Sequence, residues 1–293
     1  MRYGMDDYEA AVAPLKQLLF GRLLQPLVAS ATPAAVLEVG IGTGPNLPFL
    51  LQQPLELQLT GLEPNLAMFE YAQQAAAAVG CAPGQLRLVA GDAQRMPFDN
   101  GSFDAAVMTL VSGARGRGWA LQLQQTPHAE PRAPACSQVL CSVSQPAQVL
   151  SELLRVLKPG GQLLVIEHVI APQLSLLQLQ QRLLDPLQRL LADNCHLTRD
   201  AAATLLASGL VPQPLPPLPR DAAVQDMGPL LQRQPATSTR TQPNSSSGNG
   251  SGDATAGLGL PGGAAGAQDL WRFEVDNLGL IAPHVAGILR KPL

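Results

Sequence analysis

The segment Val36-Leu37-Glu38-Val39-Gly40-Ile41-Gly42-Thr43-Gly44 runs from a short apolar stretch carrying one acid into three glycines at alternate positions. The apolar part predicts a buried strand. The glycines predict a turn that a ligand can approach closely, because no Cβ stands in the way. A helix from about Asn46 presents the free N–H groups of its first turn beside it. The spacing says more than the glycines. A dinucleotide loop needs G-x-G-x-x-G. Here an acid precedes the first glycine and the third comes one residue early, giving E-x-G-x-G-x-G.

Beyond this loop, strand and helix signals alternate. Strands are expected at residues 36–39, 57–62, 86–90, 103–111 and 163–166, with helices from about 46, at 66–79 and at 146–157. Lys158-Pro159-Gly160-Gly161 closes the last helix: a lysine suits a helix C-terminus, and Pro-Gly-Gly cannot continue it. Two closing strands are expected at 270–275 and 280–289. The pattern predicts an α/β fold, a mostly parallel seven-stranded sheet with helices on both faces. Ligands of such sheets bind beyond the carboxyl ends of the strands, near the point where strand order reverses. The glycine loop, Glu63, Asp92 and Thr109 all fall at or near such ends. Two stretches, 112–138 and 232–268, lack both periodicity and apolar content, and read as disordered low-complexity insertions. They interrupt a single domain over 34–293, preceded by an N-terminal helical segment over 1–33.

The 293 residues are 46% hydrophobic but only 4% aromatic, so the core must be built mainly of Leu, Val and Ala. A net charge of -3 gives no electrostatic case for binding nucleic acid or an anionic membrane. Cys81, Cys136, Cys141 and Cys195 form no C-x-x-C pair, which argues against a zinc site and a disulfide framework. A reducing, intracellular compartment follows, cytoplasmic by default. Lys16 and Arg22 interrupt the apolar stretch 10–28, so no transmembrane span is expected. Its Leu15, Leu18, Leu19, Leu23 and Val28 follow a helical spacing, as in a helix packed on the domain; a lid or a membrane-surface helix is the alternative. Asp6, Asp7 and Glu9 make the start unlike a signal or transit peptide.

Glu63 ends the second strand, 19 residues after Gly44. An acid at that tip can accept both hydroxyls of a ribose. Asp92, in Gly91-Asp92-Ala93, can accept from the exocyclic amine of adenine while Met96-Pro97-Phe98 flanks the ring, and capping the next turn is a compatible second role. Asp104 reads as structural. Together with Glu38, the glycines and the Leu157-Lys158-Pro159-Gly160-Gly161 turn, these residues resemble, in order and spacing, the Rossmann-like (class I) S-adenosyl-L-methionine (SAM) methyltransferases of the type-11 domain, over about residues 35–170. That resemblance implies SAM as cofactor, held by Glu38, Gly40, Gly42, Gly44, Asn46, Glu63, Pro64, Asp92, Ala93 and Thr109. The loop would hold the amino-acid part, Asn46 would lie near the methionine end, Glu63 would take the ribose and Asp92 the adenine. It implies no metal.

The rest of the chain resembles a narrower group. Val107–Val111 and Val139-Leu140-Cys141-Ser142-Val143, joined, look like a continuous segment of the small-thiol methyltransferases of lipid-droplet and endoplasmic-reticulum membranes. Glu167-His168-Val169, Asp185-Pro186, Asn194-Cys195-His196-Leu197-Thr198-Arg199 and Pro283-His284-Val285-Ala286-Gly287 resemble further segments of that group. Its animal members carry a hydrophobic N-terminal anchor that is missing here, so membrane attachment is not carried over and only peripheral contact stays open. The strand-4 region is also split by 27 residues; an insertion that displaced 140–143 would break the pocket wall.

The expected reaction is in-line displacement at the methyl carbon, with methyl transfer to a small-molecule acceptor, a thiol or a lipophilic compound. Methylation of a lipid headgroup or quinone, and SAM binding without catalysis, are the alternatives. A thiol is partly ionised near neutral pH and can do without a strong base, whereas an oxygen acceptor needs one. No motif fixes a catalytic residue. His168 and His196 are the base candidates, with orienting or packing roles as the alternative. Cys195 reads as a pocket residue or a half-buried structural cysteine, and Arg199 as a partner of Asp185, Glu167 or an anionic substrate group. Tyr3 and Tyr8 are placed to close over the cofactor. Nothing in the sequence sets an oligomeric state.

Overall fold

Ala34–Val39, apolar apart from Glu38, forms β1, an interior strand third from one edge of the sheet. The computed structural model describes residues 5–28, 32–51, 55–109, 139–191, 194–227, 270–275 and 278–293. β2 (Leu57–Glu63) and β3 (Leu86–Ala90) extend the sheet in parallel on one side of β1, and β4 (Phe103–Thr109) and β5 (Leu157–His168) on the other. Strand order therefore reverses between β1 and β4, which opens a crevice at their carboxyl ends. Later in the chain come β6 (Val211–Pro212), β7 (Val224–Asp226), β8 (Trp271–Val275) and β9 (Pro283–Arg290). β9 folds back antiparallel to β5, followed across the sheet by β8 and β7, while β6 pairs with β9.

Both faces are covered, as continuous apolar strands require. On one face α1 (Met5–Leu24) buries Val12, Leu15, Leu19, Phe20 and Leu23 against Val107, Ile166, Phe273 and Ile288. α2 (Leu47–Leu51) and α3 (Met68–Ala78) join the same core through Leu47, Leu50, Ala72 and Ala76. On the other face α4 (Pro146–Val156) and α6 (Ala201–Leu206) bury Val149, Leu153 and Leu205 against Leu37, Met108 and Val165. The 3.6-residue periodicity read in 10–28 thus belongs to a packed helix as far as Leu24; Val28 lies beyond its end and is exposed. Among the described residues no helix is long and apolar enough to cross a membrane.

Among the described residues the sheet has nine strands where seven were expected. The two extra strands, β6 and β7, are two and three residues long, too short to show an alternating pattern in sequence. β5 also starts at Leu157, six residues early, because the Lys-Pro-Gly-Gly turn is absorbed into the strand. The register with β4 jumps from Phe103↔Leu157 to Ala105↔Gln162 across it. The end of the chain pins this excursion: Gly160 N–H donates to Lys291 O, and Lys291 Nζ donates to Leu157 O. Lys158 pairs with Asp104 at 2.8 Å rather than serving only the helix end. Asp104 also accepts the Ala35 N–H, so its structural role holds. The two stretches read as insertions, 112–138 and 232–268, lie outside the described residues.

α5 (Leu176–Leu191) has inverted polarity. Gln178, Gln181 and Asp185 are buried, while Leu176, Leu179, Leu183, Leu187 and Leu190 are exposed. The inward polar groups satisfy loop backbone: Gln181 accepts from Ala171 N–H and donates to Leu280 O, and Asp185 accepts from Thr198.

Candidate methyl-donor site

The glycine loop leaves β1 through three left-handed residues, Gly40 (φ 71°), Gly42 (φ 53°) and Gly44 (φ 79°). Only glycine enters this region without penalty, so the alternate spacing is a backbone requirement. Gly40 and Ile41 N–H both donate to Leu62 O, which fastens the loop to β2. Gly61 makes room for this: a Cβ there would lie 2.6 Å from Ile41 Cδ1.

Three polar side chains meet beneath the loop. Asn46 Nδ2 donates to Glu38 Oε1 at 2.8 Å and to Thr109 Oγ1 at 2.7 Å, tying together the ends of β1, β4 and the start of α2. All three are buried. Burial pushes the Glu38 carboxyl up to about 7, against the Asn46 hydrogen bond and the nearby Lys16 cation. Lys16, fully buried on α1, pairs with Glu9 at 2.6 Å. No sequence signal announces this pair; Lys16 read as an interruption of an apolar stretch.

Glu63, at the tip of β2, accepts Gly42 N–H at 3.1 Å and Asn65 N–H at 3.0 Å, one on each oxygen. A carboxylate has about four lone-pair sites, so acceptor capacity remains. Pro64 is exposed beside it. Asp92 is exposed just beyond β3, with Ala93 half-buried next to it, and accepts Gln94 N–H at 2.8 Å in the capping manner expected of it. The adjoining segment is fastened to α4 by one ion pair: Glu152 accepts Met96 N–H, and Arg155 donates to Met96 O and Phe98 O. The structure thus brings Glu38, Asn46, Thr109, the loop and Glu63 to one crevice, and places Asp92 at the end of the next strand.

His168 ends β5 on the face that carries Glu38 and Thr109, since Glu38 pairs with Val107, Thr109 with Ile166, and His168 lies two residues on. It is buried, facing His196 O at 3.2 Å and Cys195 Sγ at 3.7 Å. Across from it on β9, His284 is stacked between Tyr8 of α1 and Phe273, and burial holds its pKa down at about 3. Tyr8 therefore packs on His284 near the start of β9; Tyr3 lies outside the described residues. His196 is only partly covered, with Nδ1 3.9 Å from Asp185. Burial and the Arg199 and Arg189 cations keep it neutral more readily than usual.

Two expectations are corrected. Cys195 is fully buried rather than half-buried. Arg199 donates to Leu140 O at 2.6 Å, and among the described ion pairs it joins neither Asp185 nor Glu167. That bond has a use. With Leu140 N–H donating to the buried Glu167 and His196 N–H donating to Cys141 O, it docks residues 139–141 against β5. The wall behind the crevice is therefore in place after the first insertion, although as a turn rather than a continued strand.

Two models described as "methyltransferase domain" match residues 36–117 and 133–165. The chain resembles methyltransferase domains over those residues. The match indicates SAM as its methyl donor. Thiol S-methyltransferase TMT1B of Rattus norvegicus is 31% identical over 63% of this chain and 63% of its own length. Thiol S-methyltransferase TMT1A of Homo sapiens is 29% identical over 66% of each. The chain thus spans just under two thirds of the curated relatives it matches. A solved structure of geranyl diphosphate methyltransferase in complex with SAM is 17% identical, with a TM-score of 0.44 over 71% of this chain and 66% of that one.

The residues of this crevice fit such a donor. Glu38 Oε2 and Asn46 Oδ1 are buried with no hydrogen-bond partner, beside a loop whose backbone is open to close approach. Buried polar atoms without partners are rare and mark places where a ligand can complete the bonding.

The Glu38 shift has a measurable consequence for stability. Its carboxyl rises from 4.5 to about 7 on folding, so in that interval the folded chain holds a proton that the unfolded chain has lost. Ligand-free stability should fall as pH rises from about 4.5 to about 7, then level off, with Glu38 contributing on the order of 3 kcal/mol. Glu38→Gln, which cannot ionise, should therefore match wild type near pH 4.5 and exceed its melting temperature by several degrees at pH 8. A variant that melts lower than wild type at pH 8 would show that Glu38 is held ionised by its partners.

Proposed function

We propose that the chain is a SAM-dependent methyltransferase acting on a small-molecule thiol. The observation that carries the reading is the buried Glu38–Asn46–Thr109 cluster beneath three left-handed glycines, at the point where strand order reverses. In this reading Glu63 accepts the ribose hydroxyls, Asp92 accepts from the adenine amine, and Pro64 and Ala93 flank them. The loop and Asn46 hold the methionine end.

SAM supplies an already activated methyl group. The protein's share is alignment and the exclusion of water, which can account for much of a displacement barrier. α1 supports that role by closing the face that carries Glu38, Thr109 and His168. The names of the relatives support a thiol acceptor. So does the chemistry: a thiol with a pKa near 8.5 needs no strong base. His168 acts as a positioning residue beside the acceptor. Contact with a membrane surface, if it occurs, falls to the leucine face of α5, flanked by exposed Arg182 and Arg189.

The test is turnover of the full chain with SAM against alkyl and aryl thiols, quinols, and lipid-headgroup amines, read as S-adenosylhomocysteine by mass spectrometry. Product should form with thiols. Product with quinols or amines alone would move the acceptor to another class. Tight SAM binding with no product from any acceptor would make the chain a binding protein.

A further inference from the structure

We propose that Cys141, His168 and Cys195 form a binding site for one zinc ion, ligated by both sulfurs and by His168 Nε2. The three residues come from separate segments, a turn, the end of β5 and the loop after α5, so no local cysteine motif announces them. Their donor atoms all lie within 4.8 Å of one another. Zinc bonds of about 2.3 Å to sulfur and about 2.0–2.1 Å to nitrogen, at a tetrahedral angle, place S and N roughly 3.5 Å apart. Cys195 Sγ and His168 Nε2 are 3.7 Å apart, so little movement is needed.

The ligands are held in advance. His196 N–H donates to Cys141 O, Asn194 Nδ2 to Ser142 O, and Arg199 Nη1 to Leu140 O, which ties the two cysteine segments together on both sides. His168 is anchored by the β5–β9 ladder. On metal binding, Nε2 exchanges its contact with His196 O for the ion. Electrostatics favour a cation here. Two thiolates and one divalent ion form a neutral group, which a fully buried site tolerates better than separate charges. Neither cysteine is in a disulfide.

Three protein ligands leave the fourth zinc position for a small molecule, as in catalytic zinc sites. The site ends the same strand edge as Thr109 and the donor crevice. A thiol entering the fourth position would lose its proton to solvent and be held as thiolate, the form that attacks. Its sulfur then bonds to the methyl carbon as the donor's carbon–sulfur bond breaks and S-adenosylhomocysteine leaves. This use of the fourth position rests on the thiol reading above; the metal site itself does not.

The experiment is metal analysis and cobalt substitution of the intact purified chain, with SAM binding measured in parallel. One zinc per chain should survive dialysis. Cobalt(II) should give the near-ultraviolet sulfur-to-cobalt bands and the strong visible bands of a tetrahedral thiolate site. Cys141→Ser and Cys195→Ser should each lose at least tenfold in metal affinity while SAM affinity stays within twofold, which also shows that they fold. Metal bound without thiol turnover would leave the site standing and remove only its assigned use. Thiol turnover by metal-free protein would likewise remove only that use, whereas absence of the cobalt bands from protein that binds SAM, or a Cys141–Cys195 disulfide in the protein as purified, would each overturn the proposal.

Discussion

Replacing Glu63 with alanine is expected to weaken SAM binding by at least about 100-fold, measured by calorimetric titration of the intact chain. Hydrogen bonds to a charged acceptor contribute about 1.5–3 kcal/mol each, and two ribose hydroxyls on one carboxylate give roughly 3 kcal/mol or more, the equivalent of two decades in affinity. Glu63 also fastens Gly42 and Asn65 through their N–H groups, so part of the loss would come from a looser loop. Glu63→Gln separates the two effects. An amide oxygen still accepts one bond, so binding should be partly restored while the melting temperature recovers toward wild type. Unchanged affinity in Glu63→Ala would remove the ribose assignment.

Gly44→Val should be the most damaging single change to the fold near the site. Gly44 has a φ of 79°, and a Cβ there would lie 2.6 Å from Leu47 Cδ1 and 3.4 Å from Ala75 Cβ. A β-branched residue in the left-handed region costs about 1–3 kcal/mol in backbone strain. Overpacking against the first turn of α2 adds a further 1–3 kcal/mol or so. The sum, roughly 2–6 kcal/mol, is comparable to the whole stability of many domains. Denaturant titration should show a large drop in midpoint, with Gly44→Ala intermediate because alanine brings the same Cβ without the branch. A valine variant as stable as wild type would mean that the loop does not take this path.

The donor side of the site was legible because local sequence determines it. Three glycines at alternate positions can only mean a tight left-handed path, and the acid at the tip of β2 stands a fixed distance from it along the chain. The acceptor side was not legible, because its contacts are long-range. Cys141, His168 and Cys195 meet through the pairing of β5 with its neighbours and the return of the loop after α5, and no spacing rule links them. Lys16 read only as an interruption of an apolar stretch, yet it is buried because Glu9 lies on the same helix to neutralise it. Arg199 read as an ion-pair partner, but the carbonyl of Leu140 was nearer once the chain folded. α5 is not among the helices expected from the sequence, and its leucines do not take the inward face. Gln178, Gln181 and Asp185 won that face because loop backbone groups needed partners. The two short strands were missed for a simpler reason: two or three residues carry no period.

The central claim is that E-x-G-x-G-x-G builds a SAM site rather than a dinucleotide site. It is tested most directly by titrating SAM and NAD separately into the intact chain by calorimetry. The account predicts one saturable SAM site per chain, competed by S-adenosylhomocysteine, and no binding of NAD. Saturable NAD binding, or folded protein that takes up no SAM, would contradict it.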